Sequence, residues 1–199
     1  LDNVAADGLT HGMYLLLCNL LEDTEFPHRF VSSDPIVTAV RGRKTPAEIE
    51  AIGKAIAVAE KILDEVSTHI KPGMSELDIF RWFHQRMEFY QVEPAWFAAS
   101  CPGVYCGPDS PTGHAFPEAD IILQGGQTLV VDFGVKVEGY CCDLQRTWYV
   151  LKPGETAAPP RVQRAFQDML AILEAGEKVI RPGITGVEVD TPMRQVIAD

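Results

Sequence analysis

The sequence lacks any apolar run of the length a bilayer requires; its longest, residues 13–18, is followed closely by Glu22 and Asp23. That run has neither a basic flank nor a small-residue cleavage site, so it is not expected to be a signal peptide, and no membrane partner is expected. Positive charge is scarce. Lys and Arg total 17 against 28 Asp and Glu, a formal net charge of -11. Nucleic acid is therefore not an expected partner, because phosphate binding needs a basic face. A solvated acidic surface accounts for the imbalance. No CxxC pair is present among Cys18, Cys101, Cys106, Cys141 and Cys142. The odd count and the adjacent pair do not form a disulfide framework, which points to a reducing compartment, the cytoplasm. Cys101, Cys106 and His114 could be read as zinc ligands, but closed structural sites normally draw four ligands from compact pairs. GxSxG is absent, which leaves a serine hydrolase without support. A Gly-rich loop, a VAIK-type strand and an HRD segment are absent too, so Asp132-Phe133-Gly134 is not read as a kinase magnesium motif.

What is present is ordinary globular composition, 46% hydrophobic and 23% charged over 199 residues. Residue 1 is Leu, and the expectation is that the chain begins inside a longer protein. Residues 1–40 are too few for a core of their own. They are read as the tail of a preceding domain, with a short helix over residues 5–21 and an extended stretch at 30–32, ending near the basic link Arg41 to Lys44. Thr45 then caps a helix, with Pro46 at its first position and Glu48 completing a capping box. Ile49, Ile52, Ile56, Ala59, Leu63, Val66 and Ile70 fall on one face of it. Pro72-Gly73 stops this helix and Ser75 starts another, carrying Leu77, Ile79, Phe80, Phe83 and Met87; His84 is placed on its flank. Residues 94–126 read as a long functional loop, with short strands at 95–98 and 121–123. A strand-turn-strand unit covers 127–150, a helix opens at Pro159-Pro160, and a last helix begins near Thr185.

This order contains a repeat. Residues 70–79, Ile-Lys-Pro-Gly-Met-Ser-Glu-Leu-Asp-Ile, match residues 180–189, Ile-Arg-Pro-Gly-Ile-Thr-Gly-Val-Glu-Val. Each copy joins a long amphipathic helix to the start of a second.

The hairpin carries the chemistry. Leu129, Val131, Phe133, Val135 and Val137 alternate with Thr128, Val130, Asp132, Gly134 and Lys136. A turn centred between Val137 and Glu138 pairs Asp132 with Asp143, with Cβ atoms about 4.5–5.5 Å apart on one face. Two ionised carboxylates that close repel. A shared proton, an intervening arginine or metal ions would relieve the repulsion. Alternation sends Arg146 to the other face. Metal is the simplest neutraliser, since two bridging carboxylates suit divalent ions about 3.5–4 Å apart. The plainer alternative is that either aspartate sits at a strand end in water. His114, in the long loop, is a candidate proton donor or hydrogen-bond partner to a reacting carbonyl. Spacing alone does not favour it over His11, His28, His69 or His84.

On these residues the chain resembles the pita-bread metallopeptidases, which include methionine aminopeptidases, Xaa-Pro aminopeptidases, prolidases and creatinases. Val130-Val-Asp-Phe-Gly134 followed by Gly139-Tyr-Cys-Cys-Asp-Leu-Gln-Arg-Thr147 looks like the family's first two metal ligands, Asp132 and Asp143. His114, in its His-x-x-Pro setting, matches the active-site histidine. Asp-Leu-Gln-Arg-Thr is closer to the Xaa-Pro branch than to methionine aminopeptidases. Thr147 is a candidate to support the ligands from beside them.

The resemblance implies an α/β (α+β) pita-bread fold, a curved antiparallel sheet with a pseudo-twofold repeat. Residues 1–40 would be the end of a smaller N-terminal domain, and 41–199 the first part of the catalytic domain, cut after its first half. One histidine and two glutamates completing the ligand set would lie beyond residue 199, leaving this segment alone inactive. The intact protein would hydrolyse Xaa-Pro bonds, as a dipeptidase or aminopeptidase, in peptides with proline second. Two divalent ions (manganese, cobalt or zinc) would polarise the carbonyl and lower the pKa of a water, Asp132 binding one bidentately and Asp143 bridging both. A homodimer is also implied. The alternatives are a pita-bread domain that binds peptide or protein without catalysis, and a creatinase-like C–N hydrolase.

Overall fold

The structure, a computed structural model, describes residues 9–111 and 115–198. The chain divides into two compact units, Leu1–Pro46 and Ala47–Asp199.

In the first unit, α1 (His11–Leu20) is capped by Thr10, whose hydroxyl accepts from the Met13 N–H at 3.3 Å. A 3-10 turn (Phe26–Arg29) precedes α2 (Asp34–Gly42). Helix α2 was not anticipated, although Pro35 in its first turn is an ordinary helix-start signal. Residues 30–32, expected to be extended, form no strand.

The second unit opens with α3 (Pro46–His69) and α4 (Glu76–Phe89). Ser75 caps α4 in a full capping box with Asp78, each side chain bonded to the other's backbone N–H at 3.1 Å. The buried face of α3 is Ala51, Ala55, Ala59, Ile62, Leu63 and Val66, while Ile49 is exposed. The expected stripe is thus rotated. Alanines count weakly in an apolar pattern, yet they let the helix approach its neighbours most closely. Arg86 on α4 reaches back to Glu65 on α3. Its Nη2 donates to Oε1 at 2.9 Å, and its Nε lies 2.8 Å from Oε2 without the alignment of a hydrogen bond. The Tyr90 hydroxyl donates to the same Oε1 at 2.8 Å.

Two small antiparallel sheets follow. One has the order β2 (Gly103–Cys106), β3 (Thr128–Phe133), β6 (Leu144–Tyr149); the other has β1 (Glu93–Pro94), β4 (Val135–Val137), β5 (Tyr140–Cys141). Strand β2 lies inside the stretch read as loop, and residues 95–98 form no strand. Ile122 makes only an isolated bridge to Ser75. The core forms where α3 and α4 cover one face of β3: Phe83 and Phe133 stack at 4.9 Å among Ile62, Val66, Ile79 and Val131.

The chain then enters α5 (Pro160–Glu177) and α6 (Gly186–Ala198), which pack together through Gly176 and Met193. The two halves of the sequence repeat thus have the same local form, helix, Pro-Gly turn, helix. Phe166, Met169, Leu170 and Leu173 of α5 line a cavity of about 740 Å³ with Thr128, Gln145 and Thr147 of the sheet. Mixed helices and antiparallel sheets in this order are the α/β fold expected of the pita-bread class, and no described helix is long and apolar enough to cross a membrane.

Candidate active site

The site is built on one sheet face, and the β3–β6 register determines it. Glu138 and Gly139 form a two-residue turn with φ of 51° and 84°, the left-handed pair of a type I′ hairpin. Glycine takes that conformation without a Cβ penalty, so the turn settles there. Asp132 consequently pairs with Gln145, and Phe133 with Leu144. The expected direct pairing of Asp132 with Asp143 is corrected by two residues. That expectation made Val137 and Glu138 the turn residues, but a type I′ turn needs positive φ at both central positions, which Glu138-Gly139 supplies and a β-branched valine resists. Because the slip is even, the faces survive.

Asp143 stands between Cys142, which is buried, and Leu144, which packs against the core, so it falls on the Asp132 side of the ladder. The two carboxylates are diagonal neighbours, for which backbone spacing is about 7–8 Å. That removes the direct opposition on which a shared-proton dyad rested. Thr147 pairs with Val130, placing it on the same face as the other diagonal neighbour of Asp132. Arg146 stands opposite Val131 with its guanidinium 3.6 Å from Glu60 of α3, not between the aspartates.

On its other side Asp132 faces Gly103 of β2. With no side chain there, the ring of Tyr105 folds over the gap: a Cβ on Gly103 would meet the Tyr105 hydroxyl at 2.7 Å. The Tyr105 pKa is pushed up, first by burial, then by the charges of Asp132 and Glu76. Tyr105 was missed from sequence because β2 was read as loop; strand alternation would have found it.

Gly134 is needed for a close approach. A Cβ at this position would collide with the Cys142 carbonyl and lie 2.8 Å from the Ala95 Cβ. The Ala95 N–H donates to the Gly134 carbonyl at 3.1 Å, so the segment that continues β1 runs close against the hairpin at Gly134.

His114 lies outside the described residues. Cys101 and Cys106 are buried in the core. Burial raises both thiols, with the Glu76 charge adding to the effect at Cys106, which is pushed up to about 12. Cys101 donates to the Gly134 carbonyl at 3.3 Å. Such thiols are poor zinc ligands, which require the thiolate. His84 bonds the Cys101 carbonyl at 2.8 Å and stacks on Phe80, a structural role.

A divalent cation fits what the chain offers. Asp132 is half-buried, and its Oδ1 has no hydrogen-bond partner among the described residues, a costly state for a carboxylate oxygen unless something electropositive meets it. Among the described residues no cluster of three potential ligands is complete.

Comparison with known proteins bears on the family and the fold. A Mycoplasma genitalium protein provisionally named an Xaa-Pro aminopeptidase is 30% identical over 79% of this chain and 43% of its own. The X-Pro aminopeptidase structure from Thermotoga maritima superposes with a TM-score of 0.72 at 25% identity, over 96% of this chain and 50% of that one. Dipeptidase PepE from Mycobacterium ulcerans gives a TM-score of 0.76 at 25% identity, over 98% and 48%. The chain spans about half the length of the relatives it matches. The sequence profile of metallopeptidase family M24 matches residues 50–199, the hairpin and both aspartates included, and the chain belongs to that family.

Proposed function

We propose that the whole protein hydrolyses Xaa-Pro peptide bonds with two divalent metal ions, and that Asp132 and Asp143 supply two of the ligands. The observation that carries this is the placement of both carboxylates on one sheet face, with Asp132 Oδ1 buried and lacking a hydrogen-bond partner among the described residues. The relatives named for Xaa-Pro cleavage support the substrate class. Bound there, divalent ions supply Lewis-acid polarisation of the scissile carbonyl and a nucleophile at neutral pH.

The chain's own residues do the positioning. Asp132 and Asp143 would be the residues of this chain that hold the ions, each through its carboxylate. Diagonal placement lets the carboxylates converge on a shared space above the sheet, where direct opposition would press them together. Thr147 presents a hydroxyl beside Asp132. His114 protonates the leaving nitrogen or bonds the developing oxyanion. The resemblance implies one histidine and two glutamates as further ligands, and no residue of this sequence is assigned to them.

The test is metal analysis of the whole protein together with a panel of Xaa-Pro dipeptides, longer Xaa-Pro peptides and creatine. Metal-dependent release of Xaa from Xaa-Pro substrates supports the reading. Stoichiometric peptide binding without turnover favours a binding module, and turnover of creatine alone favours C–N hydrolysis.

A further inference from the structure

Among the described residues Glu76 is the one buried carboxylate, 1% exposed, and nothing proposed above uses it. It is the first residue of α4, where a negative charge is favoured by the helix dipole. Its hydrogen bonds leave the helix. Oε1 accepts from the Cys106 N–H at 2.9 Å and from the Ser110 hydroxyl at 2.6 Å. Oε2 accepts from the Glu118 N–H at 3.2 Å. One carboxylate thus grips the chain on both sides of residues 111–117, the segment whose sequence includes His114. The far side is tied down again by two α4 N–H groups: Leu77 donates to the Glu118 carbonyl at 3.1 Å and Glu76 to the Ile121 carbonyl at 3.0 Å.

Helix capping does not explain this residue. The duplicated helix start has Gly186 where the first copy has Glu76. There Thr185 and Glu188 form the reciprocal cap, as Ser75 and Asp78 do in α4. The repeat therefore builds the same helix end without a carboxylate at this position.

Resting on the function proposed above, we propose that Glu76 is a positioning residue: its buried carboxylate fixes both ends of the His114-bearing segment and thereby sets the rate of the step His114 serves. A misplacement of about 1 Å by a residue remote from the chemistry can cost 10²-fold.

Glu76→Gln tests this in the whole protein. The amide keeps the volume and one acceptor but turns an N–H₂ group toward a backbone N–H. The least costly orientation keeps the Cys106 and Ser110 bonds and loses Glu118. Three readouts are taken: amide hydrogen exchange, metal content, and kcat and KM on an Xaa-Pro dipeptide, each also in a His114→Ala background. Expected are faster exchange confined to residues 106–118, unchanged metal content, kcat lowered by about 10–10²-fold with little change in KM, and no further loss in the His114→Ala background. Ser110→Ala, which removes one bond and leaves two, should show a weaker form of the same pattern and serves if Glu76→Gln does not fold. Equal losses with and without His114, an unchanged kcat, or faster exchange throughout the unit would overturn the proposal. Absence of Xaa-Pro hydrolysis by the unmodified protein would overturn the function reading and the link to His114; the clamp itself would then stand or fall on the exchange pattern.

Discussion

Asp143 precedes by two residues Gln145, the direct cross-strand partner of Asp132, so the two carboxylates are diagonal neighbours on one sheet face. Two anions near each other, one of them with a buried oxygen unbonded among the described residues, make the metal-free site costly. Metal bound to the folded state alone adds about 2.7 kcal/mol at a hundredfold excess over Kd. Chelation of the whole protein should therefore lower its Tm by several degrees, and Asp132→Asn should abolish that chelator effect while raising the Tm of the metal-free form. An unchanged chelator effect in Asp132→Asn removes Asp132 from the ligand set.

At Gly134 the collision is with backbone, which cannot swing aside: the Cys142 carbonyl and the Ala95 Cβ occupy the space. Gly134→Ala should cost about 1–3 kcal/mol, the usual range for overpacking, and should displace residues 94–96 from the hairpin. Urea unfolding measures the first and loss of protection at the Ala95 N–H the second. A neutral substitution would mean that residues 94–96 do not cross so closely.

Glu65 gives a pH dependence. Burial pushes its carboxyl up, but hydrogen bonds from Tyr90 and Arg86 and the Arg86 charge outweigh this, and its pKa falls below the ordinary glutamate value. A carboxylate with a depressed folded-state pKa contributes stability that is full above its unfolded value and is lost as pH falls through the folded value. Stability measured from pH 6 downward should thus begin to drop near the ordinary Glu range and continue below it. Glu65→Gln should flatten that part of the curve and cost about 1.5–3 kcal/mol at neutral pH, the range for hydrogen bonds to a charged group. A wild-type slope retained in Glu65→Gln assigns the acid sensitivity elsewhere.

The hairpin turn has a simpler test. Gly139 adopts a φ of 84°, and an L side chain in the left-handed region costs roughly 1–2 kcal/mol. Gly139→Ala should lose about that much in thermal or urea denaturation, whereas Gly139→Asn should lose less, since Asn tolerates this conformation. Equal stability for all three would mean that the turn lies elsewhere and that the register is not the one described.

Alternation in 128–137 placed Asp132 on the face opposite Val131 and Phe133, because one side of that strand is thoroughly apolar. The exact partner of Asp132 was not legible: register depends on which residues make the turn, and Glu138 with positive φ breaks no sequence rule strongly enough to be noticed. The helices α3 and α4 announced themselves through Pro46, Pro72-Gly73 and Ser75. Their contact face did not, because Ala51, Ala55 and Ala59 are too small to weigh in a pattern. Strand β2 was hidden among prolines and glycines, since only four residues, Gly103 to Cys106, carry it. With it were hidden Tyr105 beside Asp132 and the reach of Glu76, whose partners lie 30 to 42 residues away in sequence.

The most direct test compares Asp143→Ala with His114→Ala in the whole protein, by atomic emission for metal and steady-state kinetics on an Xaa-Pro dipeptide. Asp143→Ala should lose at least one ion and nearly all turnover, and Asp143→Asn should be almost as poor, since a neutral amide cannot offset two dications. His114→Ala should keep its metal and lose about 10²–10⁴-fold in rate, the range for a positioned proton-transfer group. Full metal content and turnover in Asp143→Ala would contradict the metal-dependent peptidase reading outright; loss of metal in His114→Ala would make that histidine a ligand instead.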